Sequence, residues 1–134
     1  NGGQVVVMSQ DDEFNRKIIE IKQVDALLLN EALYVKDYMK QRNSGLNEVH
    51  AKLCAQNKIV ILVDIEKIIA KNDIEKARAL SRVKQNIGLC KRVGCKLVFY
   101  ETSKSKKDLQ NLFISLGSST LQASESILVD KYFN

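Results

Sequence analysis

Two stretches of the chain combine residue types and spacings that could do chemistry. The first is Arg42-Asn43-Ser44-Gly45-Leu46-Asn47, a polar, glycine-containing entry to a helix expected over Leu46 to Asn57. A helix entry of this kind exposes backbone N–H groups, and the arginine beside them adds a cation. Together they make a seat for an anion such as an RNA phosphate. The same residues also read as an ordinary loop, with Ser44 or Asn47 as N-cap. The second stretch runs from Lys76 to Arg92. At helical spacing, Leu80, Val83, Ile87 and Cys90 share one face. Arg78, Arg82, Gln85 and Arg92 fall on one flank, with Lys84 and Lys91 on the other. Glu75 is the last acid before Glu101. An apolar stripe edged with unbalanced positive charge suits a helix that packs on a sheet and meets a polyanion; a solvated amphipathic helix is the bland reading. A third basic segment, Thr102-Ser-Lys104-Ser-Lys106-Lys107, reads either as a solvated loop or as a further RNA contact.

Enzyme signatures are harder to find. No glycine-rich loop follows the first apolar run, which leaves a dinucleotide or P-loop site without support. His50 is the one histidine, so neither a Ser–His–Asp arrangement nor a hydrolase metal cluster can be assembled in the usual way. His50 and Cys54 are spaced i, i+4, but two ligands do not make a zinc site, and both read as packing residues. Asp64 and Glu101 lie at strand ends without partners that would make them catalytic. No catalytic residue, metal or cofactor is expected. Cys54, Cys90 and Cys95 are odd in number and lack a CxxC pair, which reads as reduced, buried thiols.

The elements that must position these residues follow from the apolar pattern. The chain has 134 residues, 45% of them hydrophobic and 28% charged, with a formal net charge of +5. That is one globular domain, 1–134, whose charge favours an acidic partner, nucleic acid first. No apolar run approaches the ~20 residues of a membrane span, and Gly2 to Gln10 does not read as a signal peptide. Strands are expected at Gln4–Met8, Asp25–Leu29, Ile59–Val63 and Lys96–Tyr100. Helices are expected at Asp12–Lys22, with Phe14, Ile18 and Ile21 inward; at Leu46–Asn57; and at Ile74–Val93, capped by Asp73 and stopped by Gly94. One helical turn is expected at Glu66–Ala70, a further helix at Ser105–Leu116 and a last one from Ser118 to about Leu128, while Glu31–Met39 is ambiguous. Strand and helix alternate and the strands are solid apolar runs, as in parallel sheets covered on both faces.

The series Lys36-Asp37-Tyr38-Met39-Lys40-Gln41-Arg42-Asn43-Ser44-Gly45-Leu46-Asn47, Ala51-Lys52-Leu53, Asn57-Lys58, Arg78, Arg82, Gln85-Asn86-Ile87, Leu89-Cys90, Lys107-Asp108-Leu109 and Leu116-Gly117 resembles the protein component 3 family of archaeal and eukaryotic ribonuclease P. The likeness extends over roughly Val24 to Ala123. It implies an α/β fold, a parallel (β/α) barrel related to the PHP and TIM barrels. It also implies a non-catalytic, RNA-binding subunit of the ribonucleoprotein that removes 5′ leaders from precursor tRNA. The implied partners are ribonuclease P RNA and protein component 2, with self-association a further option and no membrane. The implied location is cytoplasmic for an archaeal-type protein and nuclear for a eukaryotic one. The residues carried over as RNA contacts are Arg42, Lys52, Arg78, Arg82 and Asn86. Asn43, Ser44, Arg92, Lys104, Lys106 and Lys107 join them on the basic-segment argument. Four to five strands cannot close an eight-stranded barrel of ~250 residues, so an incomplete barrel is expected, with the family's amino-terminal part either missing or naturally absent. The competing readings are a small metal-dependent PHP-type hydrolase and a dimerising α/β interaction domain that binds no RNA.

Overall fold

A computed structural model describes residues 5–29, 46–99 and 106–115. The expected excursion at 31–39, the loop containing Arg42, Asn43 and Ser44, Lys104 and the last helix lie outside the described residues. Four strands, β1 (Val6–Met8), β2 (Ala26–Leu28), β3 (Val60–Val63) and β4 (Leu97–Phe99), form one parallel sheet in the order β1-β2-β3-β4. Val6 pairs with Ala26, Ala26 with Val60, and Ile61 with Leu97. Five helices alternate with them: α1 (Asp12–Ile19), α2 (Glu48–Gln56), α3 (Ile65–Ile69), α4 (Asp73–Val93) and α5 (Lys106–Ser115).

Period-2 alternation sorts the strand residues into two cores. Leu27, Leu29, Ile61, Val63, Leu97 and Phe99 face one way and pack with Ile19 of α1, Ala51 and Cys54 of α2, Ile65 and Ile68 of α3, and Val83, Ile87 and Cys90 of α4. Leu112 of α5 joins the same cluster. Ala26, Leu28, Val60, Leu62 and Val98 face the other way with Val6, and among the described residues no helix contributes to that cluster. Helix cover is therefore one-sided here, not two-sided as the apolar runs suggest. The strand order explains it. Sequential neighbours joined by crossovers of one hand put every helix on the same face, whereas two-sided cover needs the order to reverse. Sequential order with helices outside is the arrangement of a (β/α) barrel. The four strands of the described residues make part of one.

Three further readings are corrected at the level of single elements. β1 is an edge strand of half-exposed residues, not a buried one, with Met8 42% exposed. α1 stops at Ile19, three residues short, so Ile21 falls off the helical period and is exposed. The buried positions of α1 are Ile19 and Asn15, whose amide closes a pair of bonds with the Gln10 backbone at 2.8 and 3.2 Å. The long helix begins at Asp73, and its cap is Asn72, whose side chain accepts from Glu75 N at 2.9 Å.

α2 and α4 end alike. Lys58 takes the left-handed conformation (φ 57°), Lys58 N reaches Ala55 O at 3.4 Å, and Ile59 N reaches Cys54 O at 2.8 Å. After α4, Gly94 takes it (φ 74°) and Cys95 N reaches Cys90 O at 3.0 Å. Both are Schellman-type ends, in which the residue after the left-handed one packs back on the last turn. Cys95 Sγ lies 3.7 Å from Ile59 O and ties the two ends together.

Candidate nucleic-acid interface

α4 divides into a buried arc and an open one. The buried arc is Ala79, Arg82, Val83, Asn86, Ile87, Leu89 and Cys90. Arg82 is 7% exposed and Asn86 1%, and both engage partners. The expectation that Arg82 shares an open flank with Arg78 is overturned, and Asn86 is likewise withdrawn from the surface. The apolar stripe alone misplaces the buried arc, because Ala79 is small and Asn86 and Arg82 are polar, yet all three lie on its core side. Leu80, expected on the inner face, is only half-buried.

The open arc carries Arg78, Lys84, Lys91 and Arg92, all exposed. Part of it forms one wall of a cleft of ≈ 730 Å³, lined by Ser81, Lys84, Gln85, Gly88, Leu89 and Arg92. Leu46, Asn47 and Glu48, at the start of α2, form the opposite wall. Lys84 thus joins Gln85 and Arg92 on one surface, although the helical wheel sets it on the opposite flank. Asn47 is the N-cap of α2, its side chain accepting from His50 N at 2.8 Å. Of the two caps open in the sequence, Asn47 is the one used. Glu48 is the single acid among the described residues of the cleft lining. The walls therefore offer two cations and the N–H-bearing start of a helix, the combination that attracts an anion.

The remaining sequence candidates scatter. Lys52 is exposed on α2, one turn after Glu48. Lys106 opens α5 and Lys107 is exposed beside it. His50 is buried between α1 and α2. Burial lowers its pKa below the ordinary value, with Asp12 pulling it up and Arg16 pushing it down.

Cys54, Cys90 and Cys95 are free, buried thiols, as their spacing suggests. Their convergence at the two helix ends is not visible in the sequence, where they lie far apart. S–H contacts to Cys95, then burial, hold the Cys54 and Cys90 thiols above the usual range. The same contacts pull Cys95 down and burial opposes them. Cys95 also donates its own proton toward Ile59 O, so the trio is best described as three neutral thiols. Among the described residues, no group of three His, Cys, Asp or Glu side chains is arranged to hold a metal ion. Asp64, at the end of β3, caps α3 by accepting from Lys67 N at 3.2 Å. No described helix is long and apolar enough to cross a membrane.

Comparison with known proteins adds a name to this geometry. No family model matches the chain. Ribonuclease P protein component 3 of Methanosarcina barkeri is 28% identical over 107 residues, covering 80% of this chain and 41% of that protein. Its counterpart from Methanocaldococcus jannaschii is 24% identical over 99 residues, covering 74% of this chain and 40% of that protein. This chain is similar to ribonuclease P protein component 3. It spans about two fifths of the length of these curated relatives. A chain of a cryo-EM structure of archaeal ribonuclease P with mature tRNA superposes with a TM-score of 0.77 at 23% identity, over 96% of this chain and 55% of that one. That match shows the fold: the sheet and helices follow the same path as in that chain over about half of its length.

Proposed function

We propose that this chain acts as a non-catalytic, RNA-binding part of a ribonuclease P subunit, supporting RNA-catalysed removal of 5′ leaders from precursor tRNA. The observation that carries the reading is the open arc of α4. Arg78, Lys84, Lys91 and Arg92 reach solvent on a helix with no acid after Glu75. Positive charge without local compensation is what a phosphate backbone requires. The likeness to component 3 proteins supports ribonuclease P RNA as the RNA bound. The protein partner on this reading is component 2, and the exposed edge of β1 is the place for self-association. Arg42, Asn43, Ser44, Lys52, Lys104, Lys106 and Lys107 remain in the proposal as further RNA contacts. Arg82 and Asn86 leave it, being buried. Cytoplasmic location belongs to the same archaeal-type reading.

The test is binding of ribonuclease P RNA across a salt series, with precursor-tRNA cleavage followed in parallel. The chain should bind with a logarithmic salt slope that becomes about one unit shallower for each phosphate-contacting cation removed. It should not cleave precursor tRNA without the RNA. Affinity indifferent to salt, or cleavage by the protein alone, refutes the reading.

A further inference from the structure

Gly88 stands in the interior of α4, where glycine weakens a helix relative to alanine. Nothing among the described residues asks for it. Its backbone is ordinary helix, the left-handed positions being Lys58 and Gly94. A side-chain carbon added there would meet no heavy atom of the described residues within 4 Å, so none of them needs the space. What Gly88 does form is the wall of the α2–α4 cleft, with Lys84 one turn before it and Arg92 one turn after. Those two cations are about 12 Å apart along the helix axis, with bare backbone midway between them. Ser81, two turns before Gly88, keeps the same wall low. Across the cleft stands Glu48, the only acid among the described lining residues. A carboxylate opposite two cations is out of place in a site for a bare phosphate, which it would repel. It suits a ligand that brings a hydroxyl donor together with the phosphate. A ribose–phosphate unit does so, and its 2′-hydroxyl is the group that separates RNA from DNA.

We propose that the α2–α4 cleft takes the sugar–phosphate backbone of an RNA strand. Lys84 and Arg92 engage phosphate, the Glu48 carboxylate accepts from a ribose 2′-hydroxyl, and Gly88 supplies the clearance for close approach. The proposal rests on the RNA-binding reading above and names where and how that site selects RNA.

The experiment uses the full chain and two fluorescent probes, single strands of about 20 nucleotides with identical sequence in RNA and DNA, long enough to fill a site of this class. Wild type should bind RNA about five-fold more tightly than DNA, a preference on the scale of one hydrogen bond. Gly88→Met should fill the cleft and weaken RNA binding about ten-fold, while its melting midpoint stays equal or rises because methionine is the better helix former. Glu48→Ala should bind both probes but lose the preference, an effect that general charge repulsion cannot produce. Should Gly88→Met fail to fold, Gly88→Ala and Ser81→Met carry the same test. A folded Gly88 variant that binds RNA like wild type, or a Glu48→Ala protein that keeps the preference, overturns the cleft assignment and leaves the RNA-binding reading standing. A Gly88 variant that binds RNA normally but loses component 2 assigns the cleft to a protein and also overturns it. If wild type binds neither probe nor ribonuclease P RNA at low salt, the RNA-binding reading itself falls and takes the cleft with it.

Discussion

His50 is buried at 5% exposure, and its Nδ1 has no hydrogen-bond partner among the described residues. Charging it there costs more than in the unfolded chain, which is why its folded pKa lies below 6.5. A depressed histidine binds its proton more readily in the unfolded state. Its contribution to stability is therefore fully present above about pH 6.5 and is lost as pH falls through that value toward the folded pKa. Urea midpoints should drop on acidification through this window, and His50→Gln should flatten that part of the profile. A profile unchanged by the substitution would move the acid sensitivity elsewhere. Arg78 and Arg82 make a second contrast at this scale. Arg82→Ala should destabilise the fold by about 1–3 kcal/mol, because truncation at a buried position leaves its partners unsatisfied. Arg78→Ala should leave the melting midpoint within error and weaken RNA binding. Equal effects of the two on stability would show that burial does not separate them. The sequence could not draw this distinction. Both residues fall on one flank of the Leu80-Val83-Ile87-Cys90 stripe in the wheel, and only packing of α4 in the fold decides how much of that flank is covered.

Helix ends show most clearly what could be read in advance. Gly94 announces itself, since glycine after a helix supplies the left-handed residue at no steric cost. Lys58 carries no such signal, yet it does the same work at φ 57°. A non-glycine residue there costs about 1–2 kcal/mol. Lys58→Gly should therefore raise the unfolding free energy measured in urea and Gly94→Ala should lower it, each by about 1 kcal/mol. The opposite signs make the pair its own control, and a loss in both would mean that the Lys58 side chain holds something the backbone geometry does not show. The same two ends enclose Cys54, Cys90 and Cys95. All three should resist a maleimide in the folded protein and react only on unfolding, because access limits a buried thiol. Element types and order were legible because long periodic segments dominate the chain. Boundaries slipped by one to three residues where a cap competed, as at Asn72 and Ile19. The cleft was not legible, because its walls come from two helices separated by a strand and a further helix, and its most informative residue is a glycine that no periodicity marks.

At the scale of the whole molecule, the sheet order explains why the described residues resemble an arc of a barrel. Sequential parallel strands with helices on one side curve toward closure, but β1 and β4 pair only inward among the described residues. β1 is the weaker edge. Val5 and Met8 are each 42% exposed at an edge that pairs with no further described strand. Parallel pairing gives no hairpin to shield such an edge, and an apolar strand edge invites another strand. The chain should therefore gain stability by association, with itself or with component 2. The expected sign is a melting midpoint that rises with protein concentration or with added partner, as mass action requires when only the folded form associates. Met8→Lys places a charge on the edge without touching the helix-covered core, and it should abolish the concentration dependence while leaving the midpoint at low concentration unchanged. A monomer by light scattering at high concentration, with a midpoint indifferent to both concentration and partner, would show instead that β1 is sufficiently shielded within one copy of the chain.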